Sequence, residues 1–216
     1  PRLLKDLTAN VKVNYGKVLR GTKGGYDLFV DATGVNRRLL PPVKGDFIMP
    51  TIQYLVKFKE PPFEDFFVRP FSNYTGYLWY FPLGDRIAYV GAGDAKYNQH
   101  KRVALEFIKE KGGEALKKMG RVLRLTPPTL TEPHYSGKVV GVGESVGTVF
   151  AALGEGILPS MMAAELLKDR LEDPVSYSAL LKERFKLFED AYKFVVAKIE
   201  GRCGINCLIP ALKVHR

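Results

Sequence analysis

The sequence predicts a mixed α/β (α+β) fold, on three observations. Two short apolar runs, residues 26–30 and 139–142, each lead into a glycine turn, as strands of an α/β sheet do at their carboxyl ends. Between them lie several short aromatic and β-branched runs separated by turn residues, the pattern of an antiparallel sheet. Beyond residue 156, apolar positions recur at helical spacing.

With 216 residues, 46% of them hydrophobic, the chain can bury a core in one large or two small domains. Its apolar runs are far shorter than a bilayer span, and its first residues lack the order of a signal peptide. A soluble, cytoplasmic protein is expected, with peripheral contact at a membrane surface left open. The net charge of +10 comes from Lys and Arg interleaved with Glu, with local excess only at 117–121 and 213–216. No helix or strand carries a continuous basic stripe with aromatics, so nucleic acid is not expected as a partner, whereas anionic headgroups stay open. Cys203 and Cys207 suit neither a disulfide scaffold nor a zinc cage, because His215 is the only histidine near them. No metal is expected. Free thiols are the first expectation and a local disulfide the second.

Taken in order, residues 1–10 read as the tail of a helix and 11–15 alternate like a half-buried strand. The opening is abrupt, without Met or an N-cap, and suggests a fragment of a longer protein. A glycine-rich hairpin signal at 21–25 precedes the strand 26–34, which ends in Asp31-Ala32-Thr33-Gly34. Arg37, just beyond, could meet charge. Pro41-Pro42 breaks the chain, since tandem prolines neither continue a helix nor donate to a ladder. Strands are then expected at 52–59, 67–69, 76–82 and 86–91, with a turn at Leu83-Gly84-Asp85. Period-two geometry puts Tyr77, Trp79 and Phe81 on one face, a flat apolar wall.

A helical pattern runs over 99–119, with Val103, Phe107 and Ile108 on its apolar face and an interruption at Gly112-Gly113. Residues 121–125 could form a strand, and the prolines of 127–133 lead back toward Lys138. Residues 138–171 read as strand, loop and helix. Gly141, Gly143, Gly147, Gly154 and Gly156 remove Cβ atoms along the loop, which would let the backbone approach a flat or phosphorylated ligand. Glu144 projects at the strand's carboxyl end. The helix after Gly156 offers first-turn amides to an anion or a carbonyl. A last helix from Pro174 carries Leu181, Phe185, Phe188, Tyr192, Val195 and Ile199 as one stripe packed on the body of the protein.

No Ser/His/Asp or Cys/His arrangement stands out, and His100, His134 and His215 sit in loop or tail contexts. Such a chain suits chemistry supplied by a cofactor.

The motifs resemble those of geranylgeranyl reductases, within the flavoprotein group that includes aromatic hydroxylases. The matching residues are Asp31 to Gly34, then Tyr77-Leu78-Trp79-Tyr80-Phe81-Pro82 with Gly91-Ala92-Gly93, then Gly143-Glu144-Ser145-Val146-Gly147, and finally Gly154-Glu155-Gly156-Ile157. The resemblance implies a partial FAD-binding Rossmann-like domain at 1–46 and 134–173, an inserted antiparallel-sheet substrate domain at 47–133, and a C-terminal helical segment at 174–216. It implies FAD as cofactor and a prenyl lipid or other isoprenoid as substrate, its double bonds reduced by hydride from reduced flavin. In that scheme Glu144 holds the ribityl chain, Gly154, Glu155, Gly156 and Ile157 face the isoalloxazine ring, and Gly34 lies beside the nucleotide. Tyr77, Trp79 and Phe81 form the prenyl wall. The chain departs from the pattern at Glu144, where the family has Asp, and at Ala151, where it has Pro. The family's N-terminal GxGxxG unit has no counterpart in these residues. Neither a proton donor nor an electron donor is identified. A flavin-dependent aromatic hydroxylase or halogenase, and a non-catalytic prenyl-lipid-binding module, remain as alternatives.

Overall fold

The computed structural model describes residues 6, 8–16 and 25–203, and these form a mixed α/β fold of two sheets and four α-helices. The smaller sheet has the order β1-β8-β7, from β1 (Phe29–Asp31), β8 (Val139–Gly141) and β7 (Tyr135–Ser136). β1 and β8 run parallel, Asp31 opposite Gly141, so the two glycine turns leave the sheet at the same end. Ligands of α/β sheets bind at that end. α2 (Ile157–Lys168) and α3 (Pro174–Arg184) cover this sheet through Ala163, Leu167, Tyr177 and Leu181, packed against Leu40, Val140 and Val146. α3 starts where it does because Pro174 takes the first position and the Asp173 side chain accepts a hydrogen bond from the Ser176 amide at 3.0 Å.

The larger sheet is antiparallel, in the order β3-β4-β5-β2-β6. Its strands are β2 (Ile48–Phe58), β3 (Phe67–Pro70), β4 (Gly76–Gly84), β5 (Ile87–Asp94) and β6 (Gly113–Arg124). Alternate residues Ile52, Tyr54, Val56, Leu78, Tyr80, Ala88, Val90 and Ala92 bury one face against Ala104, Phe107 and Ile108 of α1 (His100–Glu110). The Phe107 ring meets Phe63, Phe67 and Tyr80 at centroid distances of 6.4, 5.8 and 6.3 Å. Burying such a side chain contributes about 1.5–3 kcal/mol. β6 is an edge strand whose exposed Glu114, Lys117, Lys118 and Arg121 oppose edge-to-edge pairing. α4 (Phe188–Ile199) packs Phe194 and Val195 against Met49, Leu125 and Ala151, where the two sheets meet.

Several expectations change. Residues 11–15 form no strand and are exposed, with no neighbouring strand among the described residues to pair them. The helix expected over 99–119 ends at Glu110. Gly112, at φ +64°, turns the chain, and Gly113 lies where a Cβ would stand 2.7 Å from Phe58 and Val56, so the chain leaves as β6. The stripe beyond Pro174 is divided between α3 and α4, and it stays continuous because Phe188 packs edge-on against Phe185 (5.0 Å) and Phe150 (5.3 Å). His134 lies in a loop as expected, yet is fully buried and hydrogen-bonded, whereas His100 opens α1 instead of lying in a loop. Cys203 is disulfide-bonded, which replaces the expected free thiol. The helix tail expected at 1–10 falls mostly outside the described residues, as do most of the hairpin signal at 21–25, Cys207 and the basic residues at 213–216.

Candidate functional site

The face of the larger sheet away from α1 carries Tyr77, Trp79 and Phe81 together, as the alternation requires. Trp79 pairs with Gly91 on β5, and its indole lies across that glycine: a Cβ there would stand 2.3 Å from the ring. The indole Nε1 thereby reaches Gln53 on β2 and donates to its Oε1 at 3.0 Å. Gly93, opposite Tyr77, gives room to Met49, whose Cε lies 3.0 Å from the missing Cβ. The two glycines of the Gly91-Ala92-Gly93 motif therefore accommodate side chains of the sheet itself. Tyr77 and Trp79 have ring centroids 5.8 Å apart. Phe81, 38% exposed, meets Phe66 at 6.0 Å farther along the face.

Tyr77 links this face to the second glycine turn. Its hydroxyl donates to the Leu153 carbonyl at 3.0 Å, and a Cβ on Gly154 would sit 2.6 Å from that oxygen. Burial pushes the phenol up to about 12, so it stays a donor at neutral pH. The turn is closed by the Phe150 amide on the Glu155 carbonyl (2.7 Å) and the Gly154 amide on the Phe150 carbonyl (2.9 Å). Gly156 then caps α2, whose first residue, Ile157, is 76% exposed. The amides of Ile157 and Leu158 belong to the unpaired first turn, and Pro159 after them has no N–H.

The first glycine turn lies at the carboxyl ends of β1 and β8. Asp31, fully buried, organises it: Oδ1 accepts from the Thr33 amide (3.0 Å) and hydroxyl (2.6 Å), and Oδ2 from the Leu39 and Leu40 amides (2.8 and 3.0 Å). Burial would raise its pKa, but these hydrogen bonds outweigh it and hold the carboxyl below its usual range. Gly34, at φ +66°, faces Glu144, whose Oε2 would be 3.0 Å from a Cβ there. Glu144 Oε1 accepts from the Arg124 amide at 2.9 Å. The turns at 34 and 144 are thus in contact, and Leu123 and Arg124 at the end of β6 touch the turns at Gly154 and Glu144 respectively.

Three residues act otherwise than the sequence suggests. Gly147 opens no path to a ligand; its missing Cβ would stand 2.4 Å from the Thr126 carbonyl oxygen, and Gly141 likewise gives room to Val146 and Leu40. Arg37 meets no ligand charge. It is buried and donates to the carbonyls of Thr131 (2.7 Å), Ser145 (2.9 Å) and Pro133. Burial and the neighbouring Arg124 lower its pKa to about 10, against the opposing pull of Asp31 and Asp46.

Arg124 and Asp46 escape a sequence reading. Arg124, 2% exposed, donates from Nε and Nη2 to the Asp46 carboxylate (2.9 and 2.8 Å), from Nη2 to the Val35 carbonyl (2.9 Å) and from Nη1 to the Glu144 carbonyl (2.9 Å). The partners are 78 residues apart in sequence, so no local spacing marks them. Among the described residues no cluster of side chains could hold a metal ion.

No family model matches the chain, and no curated protein does. Solved structures do. A geranylgeranyl bacteriochlorophyll reductase-like protein from Thermoplasma acidophilum aligns over 86% of this chain at 19% identity and a TM-score of 0.62. MibH, a tryptophan 5-halogenase, aligns over 98% of this chain and 46% of its own at 16% identity and a TM-score of 0.64. BrvH, a flavin-dependent halogenase from Brevundimonas sp. BAL3, aligns over 87% and 41% at 16% identity and 0.57. The chain spans 58% of the length of the Thermoplasma protein. At these identities the likeness is one of fold, and the mixed α/β architecture built here from two sheets is shared with those proteins.

Proposed function

We propose that the protein is an FAD-dependent oxidoreductase that saturates carbon–carbon double bonds of a prenyl lipid. The observation that carries this reading is the meeting of Tyr77 with the turn at Leu153 and Gly154, which joins an aromatic sheet face to a glycine turn in one surface. The residues fit a flavin there. The first-turn amides of α2 suit the carbonyl groups of an aromatic heterocycle. Glu144 Oε2, which takes no hydrogen bond from the described residues, suits a ribityl hydroxyl, and Gly34, whose missing Cβ makes way for that carboxylate, is proposed to border the nucleotide side.

FAD, reduced, would supply the hydride, and a proton would complete addition across the double bond. The chain's part is to bind and orient. Trp79, held flat by Gln53, and Phe81 beyond it give an extended apolar chain a wall without hydrogen-bonding demands. Tyr77 fixes the turn to that wall. The division at 1–46 with 134–173, 47–133 and 174–216 is proposed with this reading. So is contact with a membrane surface, from which prenyl chains would be drawn; among the described residues no helix is long and apolar enough to cross one.

The test is anaerobic incubation of the purified, flavin-loaded protein with dithionite and geranylgeranyl diphosphate. The expected product has gained dihydrogen at each saturated bond, and Trp79→Ala should lower turnover at least tenfold while flavin stays bound. Colourless protein that takes up no FAD, or flavoprotein that leaves the substrate unchanged, would contradict the reading. The 98% alignment with MibH favours a second reading, a flavin-dependent halogenase. A chlorinated product in the presence of chloride, oxygen and reduced flavin would select it.

A further inference from the structure

We propose that Arg124 is a positioning residue: its guanidinium locks the loop at Glu144 and the turn at Gly34 to the end of the antiparallel sheet. What the site holds rests on the flavin reading; the lock itself rests on geometry alone. Arg124 ends β6, so its backbone moves with the large sheet. Its amide takes Glu144 Oε1, while its guanidinium takes the carbonyls of Val35 and Glu144, the residue after Gly34 and the acidic residue itself. A third carbonyl, that of Ser145, lies 3.3 Å from Nη1 and is shared with Arg37. One side chain therefore holds both loops that border the candidate nucleotide side.

Asp46 keeps the guanidinium in that plane. Its two oxygens form a fork with Nε and Nη2, and its Oδ1 also accepts from the Thr126 hydroxyl at 3.1 Å. Thr126 Oγ1 in turn accepts from the Phe47 amide at 2.7 Å, and the Leu125 amide donates to the Phe47 carbonyl at 2.8 Å. The anchor is thus built from the strand ends of the large sheet, and the loops it holds belong to the small one. A lysine cannot reproduce the lock. Its ammonium is a point donor without the planar fork, so it cannot hold the carboxylate and two divergent carbonyls together.

The experiment is hydrogen exchange on the full chain, wild type and Arg124→Lys, with FAD titrated in parallel. The diagnostic amides are Arg37 and Arg38 in one loop, bonded to Gly34 O and Thr33 Oγ1, and Gly147 and Thr148 in the other, bonded to Glu144 O and Gly143 O. Arg124→Lys should speed their exchange about tenfold or more, leave the amides of residues 104–108 in α1 unchanged, and weaken FAD binding about tenfold. Unchanged exchange in the two loops, or a uniform rise that includes α1, would overturn the proposal. If Arg124→Lys does not fold, Asp46→Asn, which weakens the fork and keeps the shape, takes its place: faster exchange confined to the two loops supports the lock, and unchanged or uniformly raised exchange overturns it. If the wild type takes up no FAD the flavin reading fails, and the exchange measurement still decides the role of Arg124.

Discussion

At Gly91 a hydrogen stands where any other residue would place a methyl 2.3 Å from the Trp79 indole. Gly91→Ala should lift the ring from the sheet, break its bond to Gln53 and cost about 1–3 kcal/mol by overpacking. Trp79 is the protein's single tryptophan, so its emission reports the event directly. A red shift with a lowered Tm is expected, whereas unchanged emission would mean that the ring is not seated on Gly91. The alternation of residues 76–82 made the shared face of Tyr77, Trp79 and Phe81 legible in the sequence. The purpose of Gly91 was not legible, because it depends on a cross-strand register. Arg124 and Asp46 were hidden for the same reason: a charged pair 78 residues apart looks like two surface residues until the sheet ends are placed.

Among the elements, the segment between β6 and β7 is held by two devices with different tests. His134 is one. Its Nε2 faces the Pro128 carbonyl at 2.9 Å, which can only accept, so Nε2 carries the hydrogen and Nδ1 accepts from the Ser178 hydroxyl at 2.9 Å. Burial brings its pKa down to about 4, with Arg37 and Lys182 pushing the same way and the Pro128 hydrogen bond and Glu132 opposing. The folded pKa thus lies below the ordinary 6.5, and the unfolded chain binds the proton first. Stability present above that value is lost as pH falls toward 4, by roughly 3 kcal/mol in all. Urea unfolding at a series of pH values should show this fall in the wild type and a shallower one in His134→Gln; equal slopes would contradict it. Gly147 is the other device. At φ +82° and 2.4 Å from the Thr126 carbonyl oxygen it tolerates no Cβ, and Gly147→Ala should cost at least about 2 kcal/mol by thermal unfolding. A variant as stable as the wild type would show that the loop has room.

Element types were largely legible where periodicity was strong, as in α1 and the four strands β2 to β5. Boundaries failed where packing overruled pattern. The helical spacing beyond Gly113 lost to the space beside Phe58 and Val56, and the stripe after Pro174 hid the break between α3 and α4 because Phe185 and Phe188 keep it continuous across the turn.

Across the whole molecule, two sheets meet where β6 ends, and the candidate site lies along that junction. The mixed α/β class was legible because two glycine-ended apolar runs flank an aromatic, turn-rich middle. Their parallel pairing, which brings Gly34 to Glu144, is a contact between segments far apart in sequence and had to be seen. The proposed activity requires that the Trp79 face and the glycine turn at 150–156 border one flavin-binding surface. Trp79 emission during titration with oxidised FAD, whose absorbance overlaps indole fluorescence, reads this directly. Saturable quenching is expected, with emission restored when the flavin is stripped. FAD uptake without quenching, or no uptake at all, would contradict it.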